Sequence, residues 1–201
     1  QPDLVKAQVL VPPSDEVLVS LATAKDAAYL VKRTGAAMRL FRIDHVSAEA
    51  RQISLPFEGS VGLAFADESQ DGLILSLTGW TRAISHYRLQ ANRNIMPLGL
   101  ARAGAFDAPA ELVAREAMVK AADGVSIPVS IISRRDLTFD RNNPTILYGY
   151  GAYGITENPG FNPRLLALIE RGGVFVFAHV RGGGIYGTEW HLAGQKATKA
   201  N

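Results

Sequence analysis

The sequence predicts two fold classes in succession, an all-β half followed by an α/β half. Residues 8–113 alternate short apolar segments with polar breaks, as antiparallel strands do. After FDAPAELVA (residues 106–114), the predicted elements become strand, helix, strand, loop and helix. Asn201 arrives with too few parallel strands for a finished sheet. We therefore expect these 201 residues to be part of a longer chain.

The first half contains two consecutive sets of four strand candidates. The first set is EVLVSLATA, AAYLVKRTG, MRLFRID and ARQISLP, and the second is SVGLAFADE, GLILSLTGW, RAISHYRLQ and IMPLGLARA. Each set covers roughly 45–50 residues, the size of one β-propeller blade. Part of a β-sandwich is the alternative that this pattern leaves open. Because closure of a propeller takes about four to eight blades, two blades cannot form one alone.

The second half begins with a predicted hairpin in ELVAREAMVKAADGVSIPVSIISRR, with an Asp-Gly turn at residues 123–124. Pro144 precedes TILYGY, whose β-branched and aromatic residues predict a buried strand. Asn-Pro at residues 162–163 predicts a helix start, and Gly-Gly at residues 172–173 predicts its end. VFVFAHV predicts a strand buried on both faces. After the loop RGGGIYG, TEWHLAGQKATKA predicts a second helix, which completes an α/β order with right-handed crossovers.

Composition excludes several classes of function. Hydrophobic residues make up 47% and charged residues 20% of the chain, as in ordinary globular proteins. The net charge is +2 and the basic residues are scattered, so we expect no nucleic-acid partner. No apolar run approaches eighteen residues, which predicts no membrane span. Cysteine is absent, which excludes disulfides and thiol nucleophiles but leaves the compartment open. The N-terminus QPDLVKAQ has no signal-peptide pattern and indicates a processed end or the edge of a longer chain.

TILYGYGAYG contains the dinucleotide-binding spacing G-x-G-x-x-G at Gly149, Gly151 and Gly154. A dinucleotide site needs a helix after the third glycine and an acid about 20 residues on, at the end of the next strand. The segment ITENPGFNP cannot begin a helix there, and Glu170 lies on the predicted helix instead. A second match within RGGGIYG places its acid beyond Asn201. We therefore predict no cofactor, and no His or carboxylate group has metal-ligand spacing.

Two motifs together carry a resemblance to a known family. ILYGYGAYG, followed about 25 residues later by GGVFVFAHVRGGGIYGTEWHLAG, resembles the prolyl oligopeptidase family of serine peptidases. The resemblance is close over about residues 109–200 and mainly architectural before them. It implies that residues 1–108 are C-terminal blades of a β-propeller, and that residues 109–201 are the N-terminal portion of an α/β-hydrolase catalytic domain.

The resemblance also implies roles for individual residues. The second tyrosine of Y-G-Y-G, Tyr150, would donate its phenol to an oxyanion hole, between Gly149 and Gly151, which permit a sharp turn. Tyr153 would line the pocket for the residue before the cut, with surface packing as an equal alternative. A further set matches the R-G-G-G loop that would support the active-site face: Arg181, Gly182, Gly183, Gly184, Tyr186, Gly187, Trp190 and His191. Ile185 stands where the family usually has Glu, and we expect its loss to alter a local ion pair, with Arg181 as the candidate partner.

The catalytic triad is expected outside these residues. No G-x-S-x-G nucleophile elbow is present, and FEGSVG around Ser60 is not one. His45, His86, His179 and His191 are therefore predicted to be packing or surface histidines.

We accordingly predict part of a serine peptidase that cleaves short peptides after proline, inactive as 201 residues. Two alternatives stay open. One is an oligopeptidase that cleaves after basic residues, although Tyr186 favours the post-proline branch. The other is a non-catalytic β-propeller binding module. The oligomeric state, the compartment and the natural peptide are not predicted.

Overall fold

The computed structural model describes residue 7 and residues 9–199. The expectations about the N-terminus QPDLVKAQ and about Asn201 thus fall almost entirely outside the described residues. Three four-stranded sheets make up the fold. The boundary predicted between residues 108 and 109 lies in the connection between the second and third sheets, and it stays a prediction.

The first two sheets are antiparallel, with their strands paired in chain order. This is the arrangement predicted for two blades, and the strands match the eight predicted segments. The first sheet contains β1 (Val17–Thr23), β2 (Ala27–Thr34), β3 (Ala37–Asp44) and β4 (Ala50–Ile53). The second contains β5 (Ser60–Ala66), β6 (Leu73–Gly79), β7 (Arg82–Leu89) and β8 (Ile95–Pro97).

Period-two alternation places one face of each blade in a shared core. Along β6, Leu73, Leu75 and Leu77 are buried, whereas the residues between them are half-buried. They belong to the same cluster as Tyr29 and Val31 of β2. Burial of side chains of this size contributes about 1.5–3 kcal/mol each, so the two blades stabilise one another.

The third sheet is mixed and has the strand order β11-β12-β10-β9. The predicted hairpin is present as β9 (Leu112–Lys120) and β10 (Ser126–Arg134), and β10 pairs antiparallel with β12. The strands β11 (Thr145–Tyr148) and β12 (Val174–Ala178) are parallel and are connected through the helical segment between them. That segment is a 3-10 turn, Pro163–Leu165, followed by α1 (Leu166–Ile169).

The start of this helical segment follows the predicted capping chemistry. The side-chain oxygen of Asn162 accepts a hydrogen bond from Arg164 N at 3.1 Å, and Pro163 occupies the first turn. The chain leaves the segment at Gly172, where φ is 79°. The carboxyl ends of β11 and β12 consequently meet at one edge of the sheet.

Three details of the sequence prediction differ from the structure. Within the described residues β11 is the edge strand of its sheet and all four of its residues are exposed, whereas the sequence predicts a buried strand. β12 lies between two strands, but after Val174 its residues are only half-buried. The final helix is short: α2 covers Thr188–Leu192, and a 3-10 turn, Lys196–Thr198, follows. Gly194 lies between the two, and its backbone is so close to Gly182 that a Cβ would overlap it. Within the described residues no helix is long and apolar enough to cross a membrane.

Candidate active site

The loops that follow β11 and β12 form the candidate site at the carboxyl edge of the sheet. In open α/β sheets, ligands bind at this edge, outside the carboxyl ends of parallel strands. Tyr150 lies two residues after β11, and His179 comes directly after β12. Both side chains line a small recess of about 10 Å³, together with residues 155–157 and 183–185. The sequence-predicted motifs are therefore adjacent in space.

Tyr150 is held by glycines on both sides. Gly151 has φ 62°, and a Cβ there would lie 2.5 Å from Val180 Cγ2. Lys199 Nζ also donates a hydrogen bond to Gly151 O. At Gly149 a Cβ would come within 3.4 Å of Ala178 O. The backbone is thus closely packed, while the Tyr150 side chain keeps 44% of its surface exposed.

Tyr153 lies apart from the recess. Its side chain is 84% exposed and is absent from the residues that line the recess beside Tyr150. Its backbone is left-handed, with φ 55°, and Gly154 follows with φ 66°. This conformation costs a residue with a Cβ roughly 1–2 kcal/mol. Its substrate-binding role stays a prediction.

The glycines of the R-G-G-G loop bring this loop against the loop that follows β11. A Cβ at Gly182 would overlap Gly151 O, and a Cβ at Gly184 would overlap Gly154 O. Gly183 is nearly as crowded, since its Cβ would lie 2.9 Å from Ile155 O. The motif glycines thus permit direct contact between two backbones at the edge of the sheet.

Arg181 has an acidic partner although Ile185 supplies none, and the effect of Ile185 on this ion pair stays a prediction. Arg181 is 8% exposed and forms its ion pair with Asp123, in the turn between β9 and β10. The hydrogen bond from Arg181 holds the pKa of the Asp123 carboxyl below its ordinary value. Ile185 is buried, with 2% of its surface exposed. The acid that pairs with Arg181 therefore comes from another element.

A chain of three hydrogen-bonded polar groups, two of them buried, begins at His179 in the lining of the recess. Ser130 Oγ donates to Glu116 Oε2 at 2.9 Å and lies 2.8 Å from His179 Nε2. Since the serine proton is given to Glu116, we assign the proton of this second bond to His179 Nε2. Glu116 is exposed as a whole, but its carboxylate is partly buried against Ser130, and this burial raises its pKa.

This chain is not a catalytic triad. In a triad the imidazole lies between the hydroxyl and the carboxylate, whereas here the Ser130 hydroxyl lies between them. Burial, assisted by the charge of Arg33, lowers the pKa of His179 to about 4. The imidazole is thus buried and neutral at pH 7, and its predicted packing role stays a prediction. Its partners were not predicted, because they depend on the sheet register that places Ser130 opposite Glu116.

Trp80 is a further residue that the sequence did not single out. It lies in the turn between β6 and β7, yet it packs with Leu112, Ile132, Leu166 and Ile169 of the α/β half. Its ring stacks on Phe177 of β12 with centroids 4.3 Å apart. The available signal was a large aromatic residue at a hairpin tip. Across the described residues, no group of three or more His, Asp or Glu side chains could hold a metal ion.

The fold and the site define a recognisable class of protein: β-propeller blades followed by the N-terminal part of an α/β-hydrolase domain. A model of the prolyl oligopeptidase family matches residues 159–201. The prolyl endopeptidase of Elizabethkingia miricola is 30% identical over 158 residues, which are 79% of this chain and 22% of that protein. The chain belongs to the prolyl oligopeptidase family of serine peptidases.

Solved structures agree with this fold over nearly the whole chain. One match is a prolyl endopeptidase from a study of inter-domain dynamics in the catalysis and specificity of two such enzymes. It superimposes with a TM-score of 0.89 at 25% identity, and the match covers 100% of this chain and 30% of that one. Oligopeptidase B from Leishmania major gives a TM-score of 0.82 at 24% identity over 96% of this chain and 29% of that one. The chain thus spans less than a third of the length of these relatives.

Proposed function

We propose that this chain is part of a serine peptidase that hydrolyses short peptides after proline through an acyl-enzyme, with Tyr150 as an oxyanion donor. In this proposal residues 1–108 are propeller blades that restrict access to short peptides, and residues 109–201 begin the catalytic domain. The observation that carries it is the position of Tyr150, exposed at the carboxyl edge of the two parallel strands and beside the R-G-G-G loop. The relatives that are named prolyl endopeptidases support the post-proline preference.

The proposed chemistry divides between this chain and residues beyond it. A serine outside these 201 residues would attack the peptide carbonyl, with a histidine as base and an aspartate orienting that histidine. As the carbonyl oxygen becomes negative, the Tyr150 phenol would donate a hydrogen bond to it. A donor held in place before the reaction stabilises this charge without reorganisation, so its main contribution is to the transition state.

Substitution of Tyr150 tests the oxyanion assignment. In the full-length enzyme we expect Tyr150→Phe to lower kcat by about 10²–10³-fold, the usual effect of losing one such donor, with little change in KM. The measurement is steady-state hydrolysis of an acyl-proline chromogenic peptide. Tyr87→Phe, on β7, is the control and should match the unsubstituted enzyme. An increase in KM alone would contradict the assignment, because it would indicate ground-state binding.

Activity of the 201-residue chain tests the division of the chemistry. We expect no burst of product from this chain, because it contains no nucleophile elbow. A burst proportional to the concentration of the chain would contradict this expectation. The same assay of the full-length protein, run with substrates that carry proline or arginine before the cut, decides between post-proline and post-basic cleavage. Absence of hydrolysis of either would favour the binding-module alternative.

A further inference from the structure

One propeller side chain, Arg33 of β2, bonds to one segment that lines the recess beside Tyr150 and to the residue that follows a second lining segment. Its Nη2 donates to Gly184 O at 2.5 Å, and its Nε donates to Ile185 O at 3.4 Å. Its Nη1 donates to Asn158 Oδ1 at 3.2 Å. The side chain is almost completely buried, with 6% of its surface exposed. It therefore connects the first blade to the site through three hydrogen bonds.

Two acceptors of Arg33, Gly184 and Ile185, line the recess, and the third, Asn158, directly follows a second lining segment. Residues 183–185 form one wall, and residues 155–157, which end next to Asn158, form the other. Gly184 N donates to Ile155 O at 3.2 Å and joins the two walls directly. Arg33 adds a second connection between them from the propeller side. A residue outside the α/β half is thus hydrogen-bonded at both of these segments.

The chemistry of this contact requires a guanidinium group. Its planar fork can donate in several fixed directions at once, whereas a lysine ammonium is a compact point charge. Among residues 9–199, no carboxylate lies within ion-pair distance of Arg33. The charge is held by carbonyl and amide oxygens, and burial lowers the pKa of Arg33. Arginine nevertheless stays protonated in proteins, so the three bonds persist at all working pH values.

The second blade also holds one of these walls. Ser60 Oγ, at the start of β5, donates to Pro159 O at 2.6 Å. Pro159 directly follows Asn158, so both blades contact the same short segment. The wall formed by residues 155–157 is thus anchored at its end by the first blade and by the second.

We propose that Arg33 is a positioning residue of the peptidase: it holds the two walls of the recess so that the scissile carbonyl meets the Tyr150 phenol. This proposal rests on the proposed function of Tyr150. Because a displacement of about 1 Å at a site can lower turnover about a hundredfold, loosening these walls should affect kcat more than KM. Arg33 acts through Gly184, Ile185 and Asn158, without contact with the substrate.

The test compares Arg33→Met, Arg33→Lys and Arg33→Ala in the full-length enzyme. We expect each to lower kcat by about 10–100-fold, up to the loss that a misplacement of about 1 Å causes, with KM nearly unchanged. Lysine should not restore turnover, whereas methylguanidinium added to Arg33→Ala should restore part of it. Amide hydrogen exchange should become faster in residues 155–158 and 183–187. The control is Arg51→Met, which breaks only an exposed pair with Glu49 and should change neither turnover nor exchange.

The outcomes separate this proposal from the proposed function. If the unsubstituted enzyme hydrolyses neither the proline nor the arginine substrate, the proposed function fails, and the role of Arg33 that rests on it fails too. Unchanged amide hydrogen exchange in residues 155–158 and 183–187 of the variants would show in addition that Arg33 does not hold these segments. If the enzyme is active, normal kcat in the variants overturns the proposal, even where exchange becomes faster. Should Arg33→Met fail to fold, Asn158→Ala removes only the Nη1 bond at an exposed position. A severalfold lower kcat in Asn158→Ala supports the proposal, and an unchanged kcat overturns it.

Discussion

His179 shows how closely a single side chain at the carboxyl edge of the sheet can be held by its neighbours. It is 5% exposed, and its ring nitrogen Nε2 is engaged by Ser130. Its backbone oxygen accepts a hydrogen bond from Trp190 Nε1 at 3.1 Å. The imidazole is therefore enclosed, and its lowered pKa keeps it neutral at pH 7. Tyr150, by contrast, has an exposed side chain on a rigid turn, which suits a donor to a substrate.

The buried imidazole predicts a dependence of stability on pH. The pKa of His179 falls from its ordinary 6.5 to about 4 because of burial. The unfolded chain therefore takes up this proton below pH 6.5, whereas the folded chain does so only near pH 4. Its contribution to stability is complete above pH 6.5 and is lost as the pH falls toward 4, by about 3 kcal/mol.

Urea unfolding of the chain between pH 7.5 and 4.5 measures this contribution. We expect His179→Gln to remove most of the loss of stability below pH 6.5. His86→Gln, on β7, controls for the change in histidine content. The same pH dependence in His179→Gln and in the unsubstituted chain would contradict the assignment.

At the scale of elements, the site is built by two loops whose backbones touch. Gly154 N donates to Gly182 O at 3.0 Å, and Gly182 N donates to Trp190 O at 3.0 Å. These bonds connect the loop after β11, the R-G-G-G loop and α2. The contact between the loops leaves no room for a side chain at Gly182, so glycine is required there for space as well as for conformation.

Two alanine substitutions separate these requirements. Gly182 and Gly124 both have left-handed backbones, with φ 91° and 86°. A Cβ at Gly182 would overlap Gly151 O, whereas a Cβ at Gly124 would meet nothing within 4 Å. We expect Gly124→Ala to destabilise the chain by about 1 kcal/mol, from conformation alone, and Gly182→Ala to destabilise it by clearly more. Equal losses in urea unfolding would show that the loop can relax around the added methyl group.

At the scale of the whole molecule, the propeller half inserts an aromatic side chain into the core of the α/β half. Trp80 is 8% exposed, although it belongs to a hairpin tip, where residues are usually accessible to solvent. Trp80 packs in the core formed with β12 and α1, whereas Arg33 contacts the R-G-G-G loop that follows β12. The propeller half and the α/β half are therefore in contact both at the core, through Trp80, and at the candidate site, through Arg33. We expect displacement of one half to displace the other.

Removal of the Trp80 side chain tests the contribution of this contact between the two halves. We expect Trp80→Ala to lower the free energy of unfolding by about 3–5 kcal/mol, the range for large aromatic side chains in cores. Trp80→Phe keeps an aromatic ring beside Phe177 and should lose less. Phe65→Ala, at a side chain that is 53% exposed on β5, is the control and should have a small effect. If Trp80→Ala and Phe65→Ala lowered the free energy of unfolding equally, the Trp80 indole would not stabilise the contact between the two halves.

The sequence by itself determined the order of elements, both blades, the hairpin, the cap at Asn162 and the two glycine motifs. These features depend on local patterns, such as period-two burial, turn residues and caps, which neighbouring residues express without distant partners. The tertiary structure decided the exposure of β11, the partners of His179, the insertion of Trp80 and the reach of Arg33. Arg33 and Gly184 are 151 residues apart in the chain. Contacts across that distance depend on how the two halves pack, because no local pattern records which surfaces will meet.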